Sequence, residues 1–139
     1  MNAIQEMLKA HPHPAVMGRG VDMGLLSQTA SELFDCAQAC TACADACVGE
    51  DQVQELKRCI RMCMDCADIC EATGRLVSRE TESDMRMMRS QLQACATACG
   101  ICAEECERHA SRHEHCRICG ESCRRCEQAC NKLASAITM

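Results

Sequence analysis

Apolar and small residues recur along most of this chain at alternating intervals of three and four positions, the period of an amphipathic α-helix. The residue that keeps that period is cysteine. In Cys36-Ala37-Gln38-Ala39-Cys40-Thr41-Ala42-Cys43-Ala44-Asp45-Ala46-Cys47 the thiols are separated by three, two and three residues, which puts them on one stripe of a helix. Cys59, Cys63, Cys66 and Cys70 repeat the spacing, and so do Cys95, Cys99, Cys102 and Cys106. A last segment carries Cys116, Cys119, Cys123, Cys126 and Cys130. Such alternation is a heptad-like seam suited to helices crossing at shallow angles. Four seams predict an all-α fold, an antiparallel up-down-up-down four-helix bundle.

The helices are expected near residues 22–48, 52–78, 82–109 and 112–137. Capping-box pairs Asp51/Gln54, Thr81/Asp84 and Ser111/Glu114 mark three of the starts. Residues 2–10 are expected to form a short extra helix, which His11-Pro12-His13-Pro14 ends. The chain reads as a single domain over 1–139, with an N-terminal segment 1–21 and the Cys-lined bundle 22–137.

Beyond its thiols each seam continues in other residues. Leu26 and Leu33 precede Cys36, Val77 follows Cys70, Met85, Met88 and Leu92 precede Cys95, and Leu133 and Ile137 follow Cys130. In an up-down bundle these all fall at one end, as an apolar plug. At the other end the seam runs from Cys106 to His109 and back from Cys116 to His113. The bundle is therefore expected to be polarised: apolar at one end, thiol-lined through the middle, with histidines at the opposite mouth.

Composition narrows the chemistry. Seventeen cysteines in 139 residues suit either a disulfide scaffold or metal and redox work. The start MNAIQEMLKAHPHP lacks a basic region followed by an apolar one, so nothing marks the chain for export and a cytoplasmic location is expected. In a reducing compartment dense cysteine points to metal or redox chemistry. Sulfurs along one stripe also rarely meet the geometry of a disulfide. No apolar run approaches a membrane span. With Phe34 the lone aromatic and a net charge of −5, the chain has no stacking platform and no basic face for nucleic acid. Scattered charges between the cysteines read as solvated helix faces. No general acid–base pair or activated nucleophile is evident, so no turnover is expected.

Cysteine can pack as a small hydrophobe, yet packing alone does not select it at every seam position over leucine. Cys36-x3-Cys40-x2-Cys43 matches the cluster motif of radical S-adenosylmethionine enzymes, but the same spacing recurs in every seam and no strand pattern accompanies it. Iron–sulfur ligation remains chemically open. An all-thiolate interior suits Cu(I), Zn(II) and iron–sulfur units. Closed tetrathiolate zinc sites would bury net negative charge. Cu(I) takes two or three thiolates and balances about one thiolate charge per ion. Charge balance favours multiple Cu(I) ions per chain and leaves a zinc buffer or an iron–sulfur or disulfide redox core as alternatives.

Repeated C-x3-C-x2-C-x3-C seams, followed by Cys106-x2-His109-x3-His113-x-His115-Cys116, resemble the bacterial copper storage proteins, in particular their cytosolic branch. The resemblance covers roughly residues 22–137. It implies a homotetramer of four-helix bundles, many Cu(I) ions bound by cysteine inside each protomer, and copper admission at the histidine end, a role that falls to His109 and His113. His115 is off the seam and is expected at the surface, as are His11 and His13, whose Pro-rich turn leaves a loose copper site open. Met85 and Met88 read as filler. Met62, Met64 and Met87 lie off the thiol stripe and are expected to pack between protomers or on the N-terminal segment.

Overall fold

The computed structural model describes residues 2–139; Met1, counted above in the N-terminal segment, lies outside the described residues. The helices are α1 (Ala3–Lys9), α2 (Met23–Val48), α3 (Lys57–Ser78), α4 (Met85–His109) and α5 (Glu114–Ala136), and no strand occurs among the described residues. Each long helix packs on its neighbours in the chain, and α5 closes back on α2, giving a four-cornered bundle with α1 laid against α2. The end of α2 meets the starts of α3 and α5, where Cys43, Cys47, Cys59 and Cys116 gather, so neighbours run antiparallel as expected.

The capping boxes expected at three starts do not form, for three separate reasons. After Asp51 the chain makes a turn and a 3-10 helix, Val53–Leu56, before α3 begins at Lys57 without a side-chain cap. This detour buries Leu56, which is 1% exposed. Burying a leucine is worth about 1.5–3 kcal/mol, against about 1 kcal/mol for a cap. Thr81 turns its hydroxyl to His11 Nε2 at 3.0 Å instead, and Asp84 caps α4 by accepting from the Arg86 N–H at 2.9 Å. His113 occupies the N-cap of α5 and gives its ring to Glu50 rather than to the helix. The capping box that does form is Asn2/Gln5 on α1, while Asp22 caps α2 through the Leu25 N–H at 2.7 Å.

The core divides as the seams foretell. Leu26, Leu33, Val77, Met85, Met88, Leu92, Leu133 and Ile137 are buried at the apolar end. The segment between α1 and α2 crosses that end and adds Val16 and Val21, with Leu8 of α1 alongside. Backbone bonds hold it there: Ala15 N–H to Glu80 O at 2.8 Å and Thr138 N–H to Arg19 O at 2.6 Å. Gly20, at φ +84°, lies so close to Ala136 that an added Cβ would sit 2.4 Å from its carbonyl oxygen. Only glycine fits there.

Glu80 pins the same segment. Its side chain is fully buried, Oε1 accepts from the Val16 N–H at 3.0 Å, and Oε2 has no partner among the described residues. Burial pushes its carboxyl above the usual range, against the Val16 hydrogen bond and the nearby His11. The folded state therefore holds this proton more tightly than the unfolded chain. Stability from this group is full below the unfolded carboxyl range and is lost as pH rises through the folded pKa. A Glu80→Gln variant removes that dependence: its urea midpoint, relative to the unaltered protein, is expected to climb between about pH 4 and pH 8. A flat or falling difference would show that Glu80 does not carry the pH dependence.

Candidate metal centre

All seventeen cysteines are free thiols and all are buried, none more than 2% exposed. They touch without bonding. Cys40 and Cys123 sulfurs are 3.5 Å apart, Cys70 and Cys99 3.6 Å, Cys119 and Cys40 3.7 Å, and Cys63 lies 3.8 Å from both Cys102 and Cys106. A disulfide is about 2.05 Å. The three-and-four spacing produces this contact in two directions. Along one helix Cys36 meets Cys40 at 3.9 Å and Cys66 meets Cys70 at 3.7 Å; across the bundle Cys36 meets Cys123 at 3.8 Å.

The contacts build overlapping groups of four sulfurs, each within 4.8 Å of the others. From the apolar side they include Cys36/Cys66/Cys70/Cys99, then Cys36/Cys40/Cys66/Cys123 and Cys40/Cys102/Cys119/Cys123. Nearer the mouth follow Cys43/Cys59/Cys63/Cys106 and Cys43/Cys47/Cys59/Cys116. Cys95 and Cys126 extend the column downward through Cys70, at 3.8 and 3.9 Å, and Cys130 lies next to both. Every sequence-derived thiol is thus in one continuous stack.

The thiols influence one another's protons. Hydrogen bonds from Cys123, then Cys126 and Cys40, hold Cys36 well below the usual thiol range. Hydrogen bonds to Cys130, then Cys36 and Cys70, push Cys126 far above it. Burial, with Cys43 and Cys59 beside it, pushes Cys47 up. An ionised sulfur is stabilised by S–H donors around it and makes each neighbour harder to ionise.

The mouth holds three histidines. His109 Nε2 donates to Glu105 Oε2 at 2.9 Å, and both side chains are buried. His109 Nδ1 is buried with no hydrogen-bond partner among the described residues. His113 Nδ1 and His115 Nε2 both reach Glu50 Oε2, at 3.0 and 2.8 Å, and their rings stack with centroids 5.5 Å apart. His115 does not stand at the surface as expected. Its Nδ1 lies 3.4 Å from Cys43 Sγ and 3.6 Å from Cys116 Sγ. It sits in the first turn of α5, where side chains lean back toward the helix N-terminus. That lean carries an off-seam residue over the end of α2. Burial would lower His115, but hydrogen bonds to Cys43 and Glu50 hold it above the usual histidine value. In turn the His115 hydrogen bond, aided by His113, holds Glu50 below the usual carboxylate range.

Sequence reasoning missed Glu50 and Glu105, having read the charges as solvated. Glu105 did carry a signal, its place one helical turn before His109. His11 is not open as a ligand in its turn: Nε2 is bonded to Thr81 and Nδ1 accepts from the His13 N–H at 3.0 Å. Met64 and Met87 are exposed, 54% and 60%, rather than packed on the N-terminal segment, and Met62 is half-buried against the core.

A family model described as copper storage protein matches residues 24–135. No curated protein sequence matches significantly. Among solved structures, the copper storage protein Ccsp from Streptomyces lividans, loaded with 10 copper equivalents, is 48% identical with a TM-score of 0.92, covering 97% of this chain and 100% of that one. A five-copper structure of the cytosolic copper storage protein from Streptomyces lividans is 54% identical at a TM-score of 0.80, covering 81% and 93%. The Cu(I)-bound copper storage protein BsCsp3 is 29% identical at 0.71, covering 79% and 98%. With the family model spanning every thiol seam and a relative matched along its whole length, this chain belongs to the copper storage protein family.

Proposed function

We propose that the chain stores Cu(I) as cargo in the cytosol, many ions per chain, on the thiolates of Cys36, Cys40, Cys43, Cys47, Cys59, Cys63, Cys66, Cys70, Cys95, Cys99, Cys102, Cys106, Cys116, Cys119, Cys123, Cys126 and Cys130. The cytosolic location follows its relative from Streptomyces lividans. One observation carries the reading: the buried, unbridged thiols form groups that share members. Cys36, Cys40, Cys43, Cys59, Cys66 and Cys123 each belong to at least two of the four-sulfur groups.

Sharing decides between the metals. Sulfurs around zinc at about 2.3 Å stand about 3.8 Å apart, so distance alone admits zinc. A closed tetrahedron, however, uses up four thiolates, deprives the adjoining group and leaves buried negative charge. Cu(I) needs two or three and can share them, so the column fills to near neutrality. Each ion displaces thiol protons, so affinity weakens as pH falls. No turnover is involved, because the cargo is taken in and given back unchanged.

His109 and His113 form the gate, and His115 joins them through its contact with Cys43 and Cys116. Their place at the mouth and the bare His109 Nδ1 support this assignment. Assembly as a homotetramer follows the family resemblance. It is supported by the apolar side chains left outside: Met64, Met87, Ile101 and Ile118 are each at least 40% exposed.

Anaerobic titration of reduced, metal-free protein against a chromophoric chelator tests storage. The protein is expected to withhold on the order of one Cu(I) per thiol before the chelator colours. Saturation at about one or two ions would contradict storage and point to exchange of single ions. Replacing His109 and His113 together by alanine is expected to slow Cu(I) uptake on the order of 10-fold, a larger change than in final capacity. Uptake at the unaltered rate would remove both from the gate.

A further inference from the structure

Glu105 is an acidic residue with a side chain only 7% exposed, on a helix whose other acidic residues face outward. Each of its two oxygens has a partner. Oε1 is held by Arg58 Nε of α3 at 3.2 Å and by Arg108 on its own helix at 3.4 Å. Oε2 accepts from His109 Nε2 at 2.9 Å. The other carboxylate of the mouth, Glu50, is occupied with His113 and His115. Nothing among the described residues bonds His109 Nδ1.

A carboxylate only accepts, so the bond to Glu105 requires the ring proton on Nε2. A proton on Nδ1 would be a buried donor without an acceptor, which is strongly disfavoured. The remaining arrangement has the ring proton outward on Nε2 and a bare lone pair at Nδ1.

We propose that Glu105 is a positioning residue for copper admission: it fixes the His109 tautomer and ring angle so that Nδ1 stands ready to take Cu(I) at the mouth. The proposal rests on the storage reading above. A partner on the far nitrogen of a ligating imidazole sets its orientation and raises its basicity. Arg58 and Arg108 have a part in this, since they keep the carboxylate from turning toward Nδ1. They also leave it without a free oxygen for the passing cation. The ion therefore meets nitrogen and sulfur, the donors that suit Cu(I), rather than open carboxylate.

The test begins on the metal-free, reduced, full-length protein labelled with 15N at histidine. Long-range proton–nitrogen spectra are expected to show His109 protonated at Nε2 and bare at Nδ1. In Glu105→Gln, of equal size, the amide oxygen stays on the arginines and its NH2 turns to His109 Nε2. That is expected to move the proton to Nδ1 and to slow Cu(I) transfer from bicinchoninate about 10-fold. A bare Nε2, or a doubly protonated ring, in the unaltered protein would overturn the proposal. So would a reversed tautomer that leaves the transfer rate unchanged. If the variant fails to fold, the spectrum of the unaltered protein still decides. If the unaltered protein withholds no copper, the storage reading fails, and the metal-free spectrum separates that failure from this one.

Discussion

Contact between unbonded sulfurs, 3.5 to 4.0 Å apart along and across the bundle, is the constraint that orders the rest of this molecule. A thiol fills less space than leucine and withdraws less apolar surface from water. Each seam position given to cysteine forgoes part of the about 1.5–3 kcal/mol that a buried leucine supplies. The helices must therefore be held by something other than the column they enclose. That work falls to the leucines, valine, methionines and isoleucine of the apolar end, with the N-terminal segment strapped over them by Glu80 and Arg19. Polarity along the bundle axis is the direct consequence: one end holds the helices together, and the middle is left to the cargo.

The same constraint governs charge. A buried column of thiolates without cations would repel itself: Cys36 is held below the usual thiol range by the S–H groups around it, while Cys40 and Cys123 beside it are pushed above. Protons are the placeholders, and a soft monovalent cation replaces them at little change in net charge. Carboxylates are kept out of the column and appear only at its mouth. There Glu50 and Glu105 each engage histidine nitrogens, and no cysteine is among the hydrogen-bond partners of either.

Much of this was legible in the sequence, because a helical seam is a one-dimensional signal. The spacing of Cys36 through Cys130 and the leucines that continue it specified four helices, their antiparallel order and the polarity of the core. The local starts were not legible. Asp51, Thr81 and Ser111 look like caps, but burial of Leu56, the Thr81–His11 bond and the claim of Glu50 on His113 each outweighed one. Nor was the mouth complete. His115 is off the seam by helical period, and only the lean of a first-turn side chain across to another helix brings it to Cys43. Glu50 lies in a loop, where sequence spacing says nothing about distance.

The stacked, unbridged thiols make a ready-made container for Cu(I) rather than a core that happens to be rich in sulfur. A crystal of the copper-loaded protein, measured at the copper absorption edge, tests it most directly. Anomalous peaks are expected only in the bundle interior, strung between the four seams from Cys130 to the histidine mouth, with the helices in place. Peaks on the outer surface with an empty column, or helices rebuilt around the metal, would contradict it.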